Sequence, residues 1–527
     1  MQSKAAKGGR IMKTPALLAI GLAMAAGVVS SAAETNRSAE YGGRIWRLTP
    51  GCRIDGNLLT VSIPDGLYPQ TQWACTDIDL SPWEGKGFEA HIRVRGEKIA
   101  TPTEPWLGFK FMLSWRDRVT GTMRYPGAGA PLGSFPWQDV SFRQMGWFRG
   151  ADGLGTLRLG LQGTSGTVVF DLSTLEIGDL RPIWPVTNQT HRCAYTNGFI
   201  HKENSDKNLR GVMSPSGRGM TEDDFRTIAS WGATLLRYQM VRDWHGVGTN
   251  QNLDDYDSWL NGKLDHVERV VLPLASQFGL RVALDLHVTP GGRDASHEMN
   301  MFHDATFADH FVECWRRIAR RFRGHHALYG YDLCNEPQQQ REAPSGLDGW
   351  NLQRRAAEAI REIDTDTPII VECNANDAPD GYRNLSPLTL TNIIYQVHMY
   401  APGDFTHQGI QGMSMTSCRW PDVSRGWNRD YLRTVLAPVR EFQLRHHCHI
   451  YVGEFSAVAW AEGADIWLRD VIDLFEEYGW DWTYHAFREW KGWSVEHEGD
   501  SATTLRRVGD TPRKKVLIDG LRGRAGK

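Results

Sequence analysis

From about residue 208 onward the chain alternates between short apolar runs and amphipathic stretches. This alternation limits the possible folds more than any other feature of the sequence. The amphipathic stretches carry apolar residues three or four positions apart, which is typical of helices packed on one face; examples are Met220–Trp231, Thr306–Phe322 and Leu352–Ile363. Eight apolar runs have the length and composition of strands: Leu209–Met213, Thr234–Gln239, Leu280–Leu286, Leu328–Leu333, Pro368–Glu372, Ile393–His398, His449–Val452 and Trp482–Phe487. Eight strand–helix units in roughly 320 residues predict a (β/α)8 TIM barrel over residues 196–527.

A doubly wound α/β sheet is the alternative fold for the same alternation of strands and helices. Such a sheet needs no closure and usually carries a glycine-rich phosphate loop. The sequence contains neither GxGxxG nor GxxxxGK[ST]. We therefore predict the closed barrel.

Residues 40–180 have a period of two instead, with clusters of Gly, Pro and Asp between the segments. Such a pattern predicts an antiparallel, all-β sandwich. Its strand candidates are Asn57–Ile63, Phe88–Gly96, Trp106–Trp115, Leu157–Gly163 and Thr167–Ile177. Residues 181–195 contain two prolines and are predicted to form a linker.

The stretch GLQGTSGTVVFDLSTLEI in this region resembles the closing strands of jelly-roll carbohydrate-binding modules. That resemblance implies sugar binding through exposed tryptophans, for which Trp73, Trp83 and Trp137 are the candidates. Burial of the same side chains in the sandwich core is an equally good interpretation.

The first 33 residues have the pattern of a secretory signal peptide. Four basic residues precede the apolar segment Ala16–Val29, and small residues follow it. The apolar segment is shorter than the roughly 20 residues that span a bilayer. We expect cleavage after residue 33, an exported protein and no membrane span in the mature chain.

The charge and the cysteine content of the chain restrict the partners and the disulfide bonds that we expect. The net charge is −3 with no long basic run, so we expect no nucleic-acid partner. We also expect the protein to be a monomer. Eight cysteines in an exported chain permit disulfides without proving them. Cys52 and Cys75 are one possible pair, whereas Cys334 lies in a predicted strand and is expected to be a buried thiol.

Polar and aromatic residues stand where the predicted barrel strands end. In TIM barrels those carboxyl ends form the active face. Two of the residues are carboxylic acids, Glu336 after the fourth strand and Glu454 after the seventh. The others are Arg237, His287, Asn335, His398, Tyr400 and Trp490.

Two carboxyl groups on one face suit the cleavage of a glycosidic bond. One must stay protonated to donate to the leaving oxygen, and the other must be ionised to attack the anomeric carbon or to activate water. Cationic Arg237 and the Tyr400 hydroxyl, if they reach Glu454, would hold it ionised.

Four motifs together resemble glycoside hydrolase family 5, the cellulase family of TIM-barrel enzymes. They are LDLHVTPGG, YDLCNEP, VHMY and YVGEFSA, on predicted strands three, four, six and seven. The resemblance implies Glu336 as acid/base, Glu454 as nucleophile and retention of anomeric configuration. It also implies a set of residues that contact the sugar: Arg237, His287, Asn335, His398, Tyr400 and Trp490. Within this set, the resemblance implies that Asn335 binds the 2-hydroxyl and that Trp490 is a platform for a sugar ring. Val288 departs from the family, in which many members have a second polar residue after the histidine.

Two other functional classes are alternatives for this chain. A metal hydrolase is suggested by HHCHI at 446–450 and HEMNMFH at 297–303, but neither has the H-E-x-x-H spacing of a zinc helix. A non-catalytic sugar-binding barrel would not need both carboxylates. We therefore expect a hydrolase with no metal and no organic cofactor.

The substrate is expected to be a β-linked oligo- or polysaccharide, with an endo-β-1,4-glucanase as the first hypothesis. A β-mannanase and an exo-acting β-glycosidase are the alternatives. The segment from Ala401 to Trp427 is too long for a plain barrel loop, so we expect it to shape the pocket. Trp420, Trp427 and Trp493 are either sugar platforms or packing residues there.

Overall fold

The computed structural model describes residues 37–524, apart from 67–70, 85–86, 103, 105, 119–122, 129–131, 146–152, 182, 185–189, 196–207, 245, 247, 412 and 414. The predicted signal peptide at residues 1–33 lies outside the described residues.

The N-terminal region is a sandwich of two antiparallel sheets, as the period-two pattern predicts. One sheet has the strand order β1-β2-β5-β10-β7-β8 and the other β3-β4-β11-β6-β9. The strands are β1 (Arg37–Tyr41), β2 (Arg44–Leu48), β3 (Cys52–Asp55), β4 (Leu58–Ile63), β5 (Thr71–Asp79), β6 (Gly87–Ile99), β7 (Gly108–Arg116), β8 (Met123–Arg124), β9 (Gly133–Met145), β10 (Leu154–Gln162) and β11 (Gly166–Gly178).

Alternation of side chains builds the sandwich core. On β10, Leu157, Leu159 and Leu161 are fully buried, because successive side chains of a strand point to opposite faces. Non-covalent packing of this kind accounts for the fold of the sandwich. The proposed pair Cys52 and Cys75 is not bonded, since both are free thiols.

The three tryptophans suggested for sugar binding occupy different environments. The Trp83 ring packs on Phe88 of the core, with centroids 6.0 Å apart. Trp73 lies under the Arg158 guanidinium, 5.4 Å from the ring centroid. Trp137 is covered in the same way by Arg95 at 5.4 Å. Trp73 and Trp137 therefore each have one ring face engaged by a cation.

The second region is a closed barrel of eight parallel strands in the order β12 to β19, which confirms the barrel and excludes the doubly wound alternative. The strands are β12 (Arg210–Met213), β13 (Leu235–Gln239), β14 (Arg281–Asp285), β15 (Leu328–Asp332), β16 (Ile369–Glu372), β17 (Ile393–Met399), β18 (His449–Phe455) and β19 (Asp481–Tyr484). A short hairpin, β20 (His497–Glu498) and β21 (Arg506–Arg507), follows.

Helices surround the barrel: α1 (Glu222–Trp231), α2 (Leu253–His266), α3 (Leu272–Gln277), α4 (Ala305–Phe322), α5 (Gly349–Arg361), α6 (Gly403–Thr406), α7 (Arg429–His446), α8 (Ala464–Tyr478) and α9 (Pro512–Leu521). The first begins at a capping box, in which Thr221 accepts from the Asp224 amide and Asp224 accepts from the Thr221 amide. Within the described part of the chain, no helix is long and apolar enough to cross a membrane.

The eighth strand is shorter than its sequence predicts. Its hydrogen-bonded segment ends at Tyr484, whereas the apolar pattern continues to Phe487. Ala486 and Phe487 are buried, and the Phe487 amide donates to the Met213 carbonyl of β12 at 3.0 Å, so the apolar pattern follows burial past the last strand residue. The first residue after the strand is therefore His485.

The predicted linker is in contact with the barrel where it is described. Trp184 is 6% exposed, and its ring stacks on Trp350 of α5 with centroids 5.6 Å apart. Its indole N–H donates to Gln339 at 2.8 Å. The sandwich also reaches the barrel directly, because Arg124 of β8 donates to Asp404 of α6 at 3.1 Å. The sandwich is thereby joined to the loop that follows β17.

Candidate active site

The carboxyl ends of the barrel strands bring together the polar residues of β13, β15, β17 and β18. Arg237 of β13 is the centre of this cluster and is completely buried. Its guanidinium donates to Asp332 at 2.8 Å, to Glu454 at 2.6 Å and to Glu372 at 3.0 Å. Burial of a cation is costly unless carboxylates surround it, and these anions raise the pKa of Arg237 well above its ordinary value.

Glu454 is held in its ionised form. Burial alone would favour the neutral acid, but the charges of His398, His485 and Arg237 outweigh it and keep the pKa of Glu454 well below its usual range. The Tyr400 hydroxyl donates to Oε2 at 2.8 Å, and Arg237 donates to Oε1. Arg237 and Tyr400 therefore both reach Glu454, as the sequence suggested.

The position of Glu336 is fixed by its backbone conformation and its backbone hydrogen bonds. Its φ is +50°, a left-handed conformation that costs a residue other than glycine about 1–3 kcal/mol. The Glu336 amide donates to Glu372 at 2.6 Å, and its carbonyl accepts from Arg293 at 2.9 Å. Arg293 also donates to the Asn335 carbonyl at 3.0 Å, and its guanidinium lies 4.4 Å from the Trp244 ring centroid. These contacts aim the Glu336 side chain into the site.

The two carboxyl groups face each other. Oxygen atoms of Glu336 and Glu454 lie within 4.8 Å of one another and of a nitrogen of His398. His398 Nδ1 is 3.0 Å from Glu336 and 3.8 Å from Glu454. The upper bound of 4.8 Å between the carboxyl oxygens lies below the spacing of about 6.5–9.5 Å at which other enzymes hold their two carboxyl groups to leave room for an attacking water molecule. The geometry therefore suits direct attack by one carboxylate.

Asn335 and His287 line the same face. Asn335 accepts from Arg237 through its side-chain oxygen at 3.0 Å, which leaves the amide N–H2 group available to donate elsewhere. His287 Nδ1 lies 2.8 Å from Asp285, and its ring is 4.7 Å from that of Trp244. Both side chains are at least nine-tenths buried by these contacts.

Trp490, the proposed platform, belongs to an aromatic cluster at the edge of the site. Its ring contacts Trp493 at 5.4 Å and Trp460 at 5.9 Å. Trp493 in turn contacts Tyr400 at 6.4 Å and His485 at 5.8 Å. Trp490 thus contacts Tyr400, which donates to Glu454, through Trp493.

Two histidines that sequence reasoning missed stand beside Tyr400. Burial lowers the pKa of His407 to about 4, with a further contribution from His485. Burial would also lower the pKa of His485, but Glu454 and Glu489 outweigh it and raise that pKa. At neutral pH the site therefore holds a neutral His407 next to a histidine that favours its charged form.

A sequence signal existed for some of the missed residues. Glu372 ends an apolar run, as Glu336 follows one, and both Glu372 and His485 could have been read as strand-end residues. For His485 the signal was hidden because the predicted strand extended to Phe487. Arg293 lies in a loop with no periodicity, so nothing local marks it.

Three groups of side chains in the described part of the chain have metal-ligating atoms within 4.8 Å of each other. Two share His398 and include Glu454 or Glu372, both of which already accept from Arg237. The third joins α2 and α4 at Asp257, His310 and Cys314, where Arg317 donates to the aspartate at 2.6 Å. None of the three includes a histidine of HHCHI or HEMNMFH. A guanidinium occupies the position that a cation would take beside these carboxylates.

The long segment after Tyr400 is anchored by its tryptophans. Trp420 and Trp427 are 2% and 0% exposed, so they are packing residues. Trp493 is also largely buried but keeps ring contact with Tyr400 and His407. Among the three candidate platforms, Trp493 is the one whose ring contacts Tyr400, the residue that donates to Glu454.

Glu298 fastens the loop that follows Glu336. It is 1% exposed, and it accepts from the backbone amides of Gln340 and Arg341 and from the Arg341 guanidinium. Burial raises the pKa of Glu298, but the hydrogen bonds from His303, Gln340 and Arg341 outweigh it and lower that pKa to about 2.

We expect Glu298→Gln to reduce the acid sensitivity of the barrel. A carboxyl whose pKa falls on folding contributes stability above its unfolded pKa, near 4.5, and that stability is lost as the pH falls toward 2. The difference corresponds to about 3 kcal/mol. Urea unfolding followed by tryptophan fluorescence at pH 7 and at pH 3 should show the variant less stable than the wild type at pH 7, with the gap narrowing at pH 3. The exposed Glu358→Gln is the control, and a gap independent of pH would contradict the assignment.

Comparisons with known proteins identify relatives of the barrel region. Residues 200–490 match the family model described as Cellulase (glycosyl hydrolase family 5). Endoglucanase C of Acetivibrio thermocellus is 28% identical over 301 residues, covering 50% of this chain and 84% of that protein. Cellodextrinase A of Ruminococcus flavefaciens is 24% identical over 268 residues, covering 49% of this chain and 75% of that protein. A mutant form of Thermotoga maritima Cel5A solved with cellobiose superposes with a TM-score of 0.47 at 22% identity, covering 59% of this chain and 96% of that chain.

Proposed function

The chain belongs to glycosyl hydrolase family 5, and from that membership we propose that it is a retaining hydrolase that cuts β-1,4-glucan within the chain. One observation carries the mechanism: the carboxyl oxygens of Glu336 and Glu454 lie within 4.8 Å of each other, with Glu454 bonded to the Arg237 guanidinium and the Tyr400 hydroxyl and Glu336 bonded to the His398 ring. The names endoglucanase and cellodextrinase among its relatives support the glucan substrate.

In the first step Glu454 attacks the anomeric carbon. Its charge is preorganised, because Arg237 and Tyr400 already hold one oxygen each. As the bond to the leaving oxygen breaks, Glu336 transfers its proton to that oxygen. The products are a glycosyl ester on Glu454, a free sugar end and a Glu336 carboxylate.

In the second step Glu336 acts as a base. It takes a proton from a water molecule that attacks the same anomeric carbon, and Glu454 leaves as a carboxylate. Two inversions at one carbon give net retention. Asn335 is proposed to donate to the 2-hydroxyl through its free amide protons, and His287, His398 and Trp490 are proposed as further sugar contacts.

Product analysis on purified protein tests the substrate. The panel is soluble β-1,4-glucan, β-mannan, β-1,3-glucan and short aryl β-glycosides. Oligosaccharides from the first substrate, with viscosity falling faster than reducing ends appear, are the expected result. Oligosaccharides from mannan alone would replace glucan with mannan in the proposal.

Exo action is the second candidate, because one relative is named a cellodextrinase. The segment after β17 packs Trp420 and Trp427 into the large hydrophobic core of the barrel domain and carries the ion pair to Arg124. Release of single sugars from short substrates, with unchanged viscosity of the polymer, would favour a pocket closed at one end.

Removal of the Tyr400 hydroxyl is expected to weaken the nucleophile. Tyr400→Phe should lower kcat/KM by about 10–100-fold, since a hydrogen bond to a charged group contributes roughly 1.5–3 kcal/mol. The acid limb of the pH profile should move to higher pH, because the pKa of Glu454 rises when a donor is lost. Tyr125→Phe, on the exposed surface of the sandwich, is the matched control. An unchanged acid limb would argue against a contact that stabilises the charge.

We propose further that the mature protein begins after residue 33, is exported and acts as a monomer with the sandwich as a sugar-binding module. Trp73 and Trp137 support the last point, because both are only partly buried and lie outside the sandwich core. Affinity electrophoresis in glucan-containing gels should show lost retardation in Trp73→Ala or Trp137→Ala. Ile45→Ala, at an exposed apolar position, should be retarded like the wild type.

A further inference from the structure

Two cysteines that are 255 positions apart in the sequence meet at the amino-terminal end of the barrel. Cys193 Sγ lies 3.3 Å from Cys448 Sγ. Cys193 belongs to the segment that enters the barrel domain, and Cys448 stands between α7 and β18. In the structure both are free thiols.

Both backbones are fixed independently of the sulfur atoms. The Cys193 amide donates to the His446 carbonyl at 3.0 Å, and the neighbouring Ala194 carbonyl accepts from the Asn392 amide at 2.8 Å. The His449 amide donates to the Tyr195 hydroxyl at 2.5 Å. These contacts hold the segment 193–195 against the start of β18 on both sides of the sulfur pair.

We propose that Cys193 and Cys448 form a disulfide bond that fastens the entry segment of the barrel to the strand that carries Glu454. A disulfide has an S–S length near 2.05 Å, so the sulfur atoms need to approach by about 1 Å. Rotation about the Cα–Cβ bonds supplies such a movement while the backbone hydrogen bonds stay in place.

The oxidant is an external organic disulfide, RSSR, and the exposure of the two thiols sets the order of the steps. Cys193 is partly exposed, whereas Cys448 is completely buried. The Cys193 thiolate attacks RSSR, which forms a mixed disulfide and releases RS⁻. Cys448 then loses its proton and attacks the Cys193 sulfur, which releases the second RS⁻. The two protons from the cysteines end on two RSH molecules, so RSSR is reduced as the protein is oxidised.

The hydrogen bond from Cys448 supports Cys193 as the attacking group. That bond, which outweighs the effect of burial, lowers the pKa of Cys193. Burial and the neighbouring Cys193 raise the pKa of Cys448 well above its ordinary value. The outer thiol is therefore the more readily ionised of the two, and the thiolate is the attacking species in thiol–disulfide exchange.

Peptide mapping of the full-length protein tests the bond directly. The folded chain is treated with oxidised glutathione, alkylated, digested without reductant and compared with a sample kept in dithiothreitol. The expected product is one linked pair of peptides containing Cys193 and Cys448, two hydrogen atoms lighter than the separate peptides. The thiol count in denaturant should fall by two, and the apparent melting temperature should rise by roughly 5 °C or more, since the bond closes a very long loop.

Variants separate this bond from other effects of oxidation. Cys193→Ser and Cys448→Ser should each abolish the rise in melting temperature, while Cys75→Ser in the sandwich should retain it. An unchanged thiol count, a glutathione adduct that persists on Cys193, or linkage to a different cysteine would each overturn the proposal. The mapping on unmodified protein stands even if a serine variant folds poorly, and no readout depends on glycosidase activity.

Discussion

Replacing Glu454 with glutamine is expected to lower kcat/KM on β-1,4-glucan by about 10⁴-fold or more, because a covalent nucleophile has no substitute in the site. The amide keeps an oxygen that accepts from Arg237, so the fold should be retained. The neutral amide cannot attack the anomeric carbon. Release of reducing sugar, measured beside circular dichroism of the variant, gives the result.

Chemical rescue separates the nucleophile from a residue that only positions substrate. Glu454→Ala opens space beside Arg237 for a small anion, so azide should restore turnover of an activated aryl glycoside and yield a glycosyl azide of inverted configuration. Glu358→Gln, an exposed carboxyl on α5, should behave as the wild type. Wild-type activity in Glu454→Gln would refute the two-carboxylate mechanism.

The replacement of Glu336 by alanine is expected to have an effect that depends on the leaving group. On glucan, where the leaving alcohol needs a proton, kcat/KM should fall by about 10³-fold or more, near the upper range for general acids. A dinitrophenyl glycoside needs no proton, so its first step should remain fast. The glycosyl ester on Glu454 should then accumulate, because the base for the second step is missing.

Rapid-mixing kinetics reveal this asymmetry. A burst of dinitrophenol equal to the enzyme concentration, followed by slow turnover, is the expected trace, and mass spectrometry should detect the sugar on a peptide containing Glu454. Azide should accelerate the slow phase and give a product of retained configuration. An equal loss for all leaving groups would assign Glu336 a structural role instead. Glu342→Gln, on the exposed loop after Glu336, is the matched control.

Much of the fold could be predicted because its signals are local. A period of two in the sandwich and the strand–helix alternation in the barrel each depend on residues within about ten positions of each other. The same locality explains the error at the eighth strand, where Ala486 and Phe487 are apolar because they are buried, although the strand itself ends at Tyr484. A hydrophobic pattern indicates that side chains are buried, and a residue can be buried without belonging to a strand.

The two carboxylic acids could be found from sequence for a similar reason. Each follows an apolar run that ends at the active face, so Glu336 and Glu454 are marked by the strands that carry them. Arg237 and Tyr400 were candidates by the same rule. Their contact with Glu454 was only conditional, since the sequence does not state which strands become neighbours.

The sequence by itself determined the order of the elements, the face on which their polar ends gather and the two carboxylic acids that meet there. The tertiary structure alone decided which charges meet: Arg237 bonds acids from strands 95, 135 and 217 positions away, and Cys193 meets a sulfur 255 positions away. Closure of the barrel creates these contacts, because it places the ends of distant strands around one buried point. Coulomb energy and hydrogen bonding depend on the distance between groups in space. The periodicity of a sequence does not contain that distance.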